Sequence, residues 1–338
     1  MALIVRTDRE LECPGLDAAL RARGDELVLL PDGIAEGDLA AAVRDAELIL
    51  MCYTPITARV IGGASKLKAI VKYGVGIDAI DIPAASARGI PVVNVPEYAE
   101  ETVAEGAFAL MIALAKKLPA LGAEMRREGW AWPEARWLAS DIAGRTVGLI
   151  GTGRIGRSMA RMAGAGFRAR VLGYDPGVDA AAMRDAGIEK RDDLRAMLAE
   201  CDFVSVHCTL SPATRHLVGE AEFRAMRPHA VFVNVSRGAI ADEAALLKAL
   251  REKWIAGAGL DVYSREPLNL DGHPLSPLFS MDNVILLPHL TFYTAEAMRR
   301  LEEDTLARCL EALEGRPVTI RSRDPRLRAQ TAGVAFTD

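Results

Sequence analysis

Short apolar runs recur along the first hundred residues, each bounded by polar or turn-forming positions: "ALIVR", "ELVLLP", "ELILMC", "LKAIVKY" and "PVVNVP". Segments such as "LDAALRARG" and "DLAAAVRDA" lie between them with helical spacing. Strand-like runs alternating with helical ones predict a parallel sheet flanked by helices. A long helical stretch is then predicted from about Glu100 to Arg127, dominated by alanine and leucine. After the tryptophan-rich connection "GWAWPEARWLASDIAG", a second alternating series starts at Arg145. Its predicted strands are "TVGLIG", "RVLGYD", "FVSVHC", "VFVNVS", "GAGLDV" and "VILLPH". Residues 295–313 predict a helix, and the arginine-rich stretch beyond Arg316 predicts a partly ordered surface tail. With no internal repeat or low-complexity linker, the simplest map is one α/β domain, a second α/β domain inserted into it, and a last helix returning to the first.

Composition narrows the class. A chain of 338 residues, 50% hydrophobic and 26% charged, has room for two ordinary domains with substantial cores. The net charge is −5 with Lys and Arg spread along the chain, so no basic face for nucleic acid is visible. Cys13, Cys52, Cys201, Cys208 and Cys309 form no metal-ligand spacing and read as reduced, mostly buried thiols. The longest apolar run, "FALMIALA", is shorter than the ~18 residues of a membrane span, and no signal-like start is present. A cytoplasmic protein without membrane or metal is expected.

The first chemical signal is "TVGLI" running directly into "GTGRIG" and then a helical segment. Gly151, Gly153 and Gly156 form a G-x-G-x-x-G placed between a strand and a helix, where a dinucleotide needs it. Gly151 permits the tight turn, Gly153 lets backbone approach a pyrophosphate, and Gly156 allows close helix–strand packing. The next strand ends at Asp175, nineteen residues after Gly156. An acid there accepts from the adenine ribose hydroxyls and repels a 2′-phosphate, and the following "PGVDA" has no arginine. NAD is favoured over NADP. A kinase glycine loop is the poorer reading, since no HRD or DFG occurs.

In a doubly wound sheet, ligands bind outside the carboxyl ends of the strands. Three reactive side chains fall there: Arg237 after "VFVNVS", Glu266 shortly after "GAGLDV", and His289 at the end of "VILLPH". Separately these are a solvated loop charge, a turn residue before Pro267 and a loop imidazole. Together they form a complete set for reducing a carbonyl beside a carboxylate.

The chain resembles the D-isomer-specific 2-hydroxyacid dehydrogenases, the family of glyoxylate/hydroxypyruvate reductases and D-lactate and phosphoglycerate dehydrogenases. The likeness runs from about Leu3 to Ile320. It rests on "VKYGVGIDAIDI", "TVGLIGTGRIG", "VHCTLSPATRHLV", "FVNVSRGAIADEAAL", "AGLDVYSREP" and "LLPHLTFYT". It implies two doubly wound domains: a flavodoxin-like substrate domain of 1–97 completed by 296–338, and a Rossmann NAD-binding domain of 98–295. It also implies a homodimer built on the cofactor domains and an active site in the interdomain cleft. NADH would reduce a small 2-oxo acid, with His289 as acid/base, Glu266 as its partner, and Arg237 on the substrate carboxylate and carbonyl. The backbone amides of Val75 and Gly76 match the family's carboxylate loop, and Tyr53 lies in a loop facing substrate in relatives. Arg154, Ile155, Thr209, Thr214, Val235, Asp261 and His289 match cofactor-lining positions. Asp261 would accept from the carboxamide, or else cap local backbone.

Several positions depart from the pattern. Thr291, Phe292 and Tyr293 stand where many members have small residues, and would narrow the space near nicotinamide or substrate. Tyr53 replaces a basic residue found in some members, which favours a smaller or uncharged substituent. Ala79 replaces the usual asparagine. Trp137 lies in an arm that reaches a neighbouring subunit in some relatives, or is simply a dimer-packing tryptophan. Two other functions stay open beside 2-oxo acid reduction: an NADH-sensing corepressor, and a formate- or phosphite-type dehydrogenase on the same scaffold.

Overall fold

A computed structural model describes residues 1–337. The chain divides into two units, Met1–Ala99 with Thr294 onward, and Glu100–Tyr293. In the first, β1 (Leu3–Arg6), β2 (Glu26–Leu29), β3 (Leu48–Met51), β4 (Ala69–Lys72) and β5 (Val92–Asn94) form one sheet in the order β2-β1-β3-β4-β5. Every pairing is parallel. Parallel sheets carry helices on both faces, so their inner strands are apolar throughout. Leu48 to Met51, Ile70, Val71, Val92 and Val93 are accordingly all buried. This strand order is that of a flavodoxin-like doubly wound sheet.

The second unit holds β6 (Thr146–Ile150), β7 (Arg170–Tyr174), β8 (Glu189–Lys190), β9 (Phe203–Val206), β10 (Val231–Asn234), β11 (Gly257–Leu260) and β12 (Val284–Leu286). All are parallel, in the order β12-β11-β10-β9-β6-β7-β8. Strand order reverses between β6 and β9, which makes the crevice above them the topological switch point of a Rossmann sheet. Two apolar clusters cover its faces. One is built on Phe223, Phe232, Leu246 and Leu260, the other on Phe108, Met111, Leu149 and Val233.

The helical stretch predicted from Glu100 to Arg127 runs as two helices, Glu100–Ala115 and Leu118–Glu128, bent by 56°. Lys117 is left-handed at φ 52° and Pro119 lies at the start of the next helix, where a missing N–H costs nothing. One expectation needs correction: residues 317–337 of the tail are ordered. β13 (Val318–Ile320) pairs in parallel with β14 (Val334–Phe336), and Ile320 and Leu327 are fully buried. Gln330 then acts as a one-residue strand on β5, its amide accepting from Val92 N–H at 2.7 Å and donating to Val92 O at 2.8 Å. All five cysteines are free, and all but Cys208 are buried. Among the described residues no single helix is long and apolar enough to cross a membrane.

Candidate active site

β10, β11 and β12 are neighbours in the sheet, so their carboxyl ends open on one side of the second unit. Asn234, the last residue of β10, folds the chain back on itself. Its Nδ2 donates to Arg237 O at 2.9 Å and its Oδ1 accepts from Ser236 N–H at 3.1 Å. Arg237 leaves that turn. The next residue must be glycine, because a Cβ on Gly238 would lie 2.1 Å from the carbonyl carbon of Tyr263. The loop after β11 therefore lies directly on the loop after β10.

Glu266 in that loop is held at both oxygens, Oε1 accepting from Tyr263 N–H at 3.0 Å and Oε2 facing His289 Nδ1 at 2.9 Å. Burial alone would raise the Glu266 pKa. The hydrogen bond and charge of His289, the Tyr263 amide and the nearby Arg237 outweigh it and hold the carboxyl below its ordinary value. His289 sits at φ 60°, a left-handed conformation unusual for a residue with a side chain. Asp261 stabilises that turn, accepting from Leu290 N–H, Thr291 N–H and Thr291 Oγ1 at 2.9, 3.0 and 2.6 Å. Nδ1 of His289 is thereby committed to Glu266. Arg237, Glu266 and His289 thus converge in one unit.

The glycine loop lies at the switch point. Gly151 has φ 94°, and a Cβ there would come 2.4 Å from Cys208 N. Gly153 caps the helix Arg154–Arg161, and a Cβ on it would meet nothing, so the helix amino terminus stands open. Gly156 packs against the Gly151 carbonyl. Asp175, ending the β7 turn, accepts from Thr152 N–H at 2.9 Å and Gly177 N–H at 3.0 Å, which places its carboxylate beside the loop. An open helix terminus, a glycine turn and an adjacent acid fit a dinucleotide on their own geometry.

The other predicted cofactor positions make contacts within the protein. Asp261 is fully buried, and its oxygens accept from the His289 loop. Val235 is buried and Ile155 half-buried in the same core cluster. Arg154 pairs with Glu100 at 3.1 Å. Thr214 Oγ1 donates to Thr209 O at 2.6 Å and accepts from Ser211 N–H, closing a turn with Thr209 exposed on it. Thr291 is tied to Asp261. Phe292 is buried edge-on to His289, so of the two rings only Tyr293 is exposed. Trp137 lies half-buried under Arg136.

In the first unit, Val75, exposed, and Gly76, half-buried, form a turn just past β4, and the exposed Tyr53 lies in one just past β3. Two residues were not anticipated. Asp8, buried and at φ 55°, accepts from three successive amides, Cys52, Tyr53 and Thr54, at 2.7, 2.9 and 3.1 Å, and so holds the Tyr53 turn. His207, at the end of β9 beside the glycine loop, has both ring nitrogens buried without a partner. Burial pushes its pKa down to about 4, so it is neutral. Its signal in the sequence was a polar residue closing the apolar run "FVSV".

Residues 108–291 match the family model of the D-isomer specific 2-hydroxyacid dehydrogenase NAD binding domain. The chain belongs to the D-isomer-specific 2-hydroxyacid dehydrogenase family. This dehydrogenase is 41% identical over 264 residues to a glyoxylate reductase of Korarchaeum cryptofilum, covering 77% of this chain and 78% of that protein. It is 37% identical over 268 residues to a D-3-phosphoglycerate dehydrogenase of Methanocaldococcus jannaschii, covering 79% of this chain but 50% of that longer protein. Its fold matches a D-lactate dehydrogenase of Aquifex aeolicus, solved with NAD and lactic acid. The TM-score is 0.83 at 28% identity, over 92% of this chain and 96% of the other. The dehydrogenase is accordingly an NAD(H)-dependent oxidoreductase of 2-hydroxy acids.

Proposed function

We propose that the dehydrogenase reduces a small, non-phosphorylated 2-oxo acid to its D-2-hydroxy acid with NADH. The observation that carries the chemistry is the 2.9 Å contact from His289 Nδ1 to Glu266, with Arg237 close enough to lower the Glu266 pKa. Bound at the glycine loop and Asp175, the dinucleotide supplies the hydride. Protonated His289 gives the Nε2 proton to the carbonyl oxygen as negative charge builds there, and takes it back in oxidation. Glu266 keeps the ring in that orientation. Arg237 binds the substrate carboxylate and carbonyl oxygen, and the Val75 and Gly76 amides bind the carboxylate. Tyr53, 38% exposed, bounds the substituent. The nearby Lys72 ammonium is buried and engaged on the Cys52 carbonyl, so it is not offered to a phosphate. We also propose a homodimer through the 100–293 unit, supported by the exposed Trp130, Trp132 and Leu138.

NADH consumption with glyoxylate, hydroxypyruvate, pyruvate, phenylpyruvate and oxaloacetate tests the reading, repeated with NADPH. One acid should turn over fast, and His289→Ala should lower kcat about 10²–10⁴-fold, the usual worth of a positioned acid/base. Equal or faster turnover with NADPH would overturn the role of Asp175. Tight NADH binding with no turnover of any acid would point to a sensor instead.

A further inference from the structure

The proposed carboxylate donors are two consecutive amides, Val75 N–H and Gly76 N–H, and neither has a hydrogen-bond partner among the described residues. Each belongs to a peptide whose carbonyl is held from behind. Val95 N–H donates to Gly74 O at 3.0 Å, fixing the peptide that carries Val75 N–H. Asn94 Nδ2 donates to Val75 O at 2.6 Å, fixing the peptide that carries Gly76 N–H. In a planar trans peptide the C=O and N–H point in opposite directions. Pinning both carbonyls toward the end of β5 therefore turns both N–H groups away from it, side by side.

The two clamps differ in kind. Val95 uses backbone that any residue but proline would supply, whereas Asn94 uses a side chain. Asn94 is 4% exposed, and its Oδ1 is buried without a partner. A buried unpaired acceptor is unfavourable, and an aliphatic residue would fill the position without it. What the amide contributes is its donor. A carbonyl partner also decides the orientation of the amide, because only the NH2 end can donate.

We infer that Asn94 is a positioning residue that preorganises the Gly76 amide for the substrate carboxylate. The inference rests on the proposed role of the Val75–Gly76 turn. Without Asn94 the Val75–Gly76 peptide is free to rotate, and the substrate must order it on binding. The loss falls on substrate affinity and leaves the cofactor site alone.

The test uses the full-length enzyme with NADH and its best 2-oxo acid, and oxamate as a non-reducible carboxylate probe. Asn94→Ala should raise KM and the oxamate inhibition constant about tenfold, the scale of one hydrogen bond to a charged ligand's site. kcat and the NADH Kd should stay near wild type. Asn94→Asp, equal in volume but without the donor, should raise KM at least as much and guards against an effect of lost packing. Unchanged KM and oxamate inhibition in both variants would overturn the inference. So would a parallel fall in kcat, NADH affinity and Tm, which marks a merely structural residue. Gly76→Pro removes the amide itself. If that variant folds and keeps its KM, the carboxylate assignment is wrong and this inference falls with it; if its KM rises while Asn94→Ala and Asn94→Asp are silent, only the role of Asn94 is wrong.

Discussion

Asp8 places a single charge under the whole Tyr53 turn. Beside the three amides, its carboxylate accepts from Thr7 Oγ1 and Thr54 Oγ1, each at 2.6 Å. Burial would raise its pKa, but these hydrogen bonds outweigh it and hold the group below the ordinary 3.8. A carboxyl whose folded pKa is lowered contributes stability above the unfolded value, and that contribution is lost as pH falls through the folded value. Asp8→Asn should therefore cost about 2–3 kcal/mol at neutral pH, the worth of hydrogen bonds to a buried charge. The cost should shrink as pH drops below about 4. Urea unfolding of both proteins at pH 7, 5, 4 and 3 measures it, and a gap that does not change with pH would show the charge to be irrelevant. His289 and Asp8 share one design: a left-handed residue at a strand end, stabilised by hydrogen bonds made nearby.

At the scale of elements, local pattern and tertiary contact divide the work unevenly. The helix Ala295–Leu313 has the bounds its sequence predicts, because Thr294 is a good cap, its hydroxyl accepting from Ala297 N–H at 3.2 Å. The helical stretch from Glu100 breaks at Lys117 and Pro119, and a composition dominated by alanine and leucine does not mark the break. The tail escaped notice for the opposite reason. Val318, Ile320 and Leu327 are scattered among arginines, and only their burial within the first unit reveals them as core. Gln330 is the clearest case, since a glutamine among polar residues gives no hint that it will pair with both backbone groups of Val92. Gln330→Ala should destabilise the enzyme by about 1–3 kcal/mol through the unpaired Val92 groups. The comparison is a denaturant midpoint at constant m-value, and a change below a few tenths of a kcal/mol would mean that water replaces the amide.

The whole molecule is two cores on one chain, and they are not equivalent. Glu100–Tyr293 is contiguous, and its sheet is covered on both faces by clusters drawn from the same segment. The other unit is split, its last helix and tail arriving only after the second unit is complete. The fragment 100–293 should therefore fold alone with a cooperative transition. NADH at a hundred times its Kd should add about 2.7 kcal/mol to that stability by mass action. If the exposed tryptophans mark the subunit contact, the fragment also sediments as a dimer. Calorimetry with and without NADH, and sedimentation velocity, decide the matter. A fragment without a transition would show that its core depends on the rest of the chain.

The sequence by itself determined the alternation of strands and helices, the glycine loop with Asp175, and the three strand ends carrying Arg237, Glu266 and His289. Each is a local pattern: apolar runs of strand length, a turn that only glycine permits, a reactive residue where a strand must stop. The tertiary structure decided which of these residues meet and what holds them. It spent Asp261 on the His289 turn, laid the Tyr263 loop on Gly238, and set Asn94 and Asp8 behind turns far away in sequence. Those outcomes depend on which strands are neighbours and on the distances between their ends. No periodicity encodes that, because a carboxylate or amide at a strand end reads the same whether it will face a ligand or a backbone.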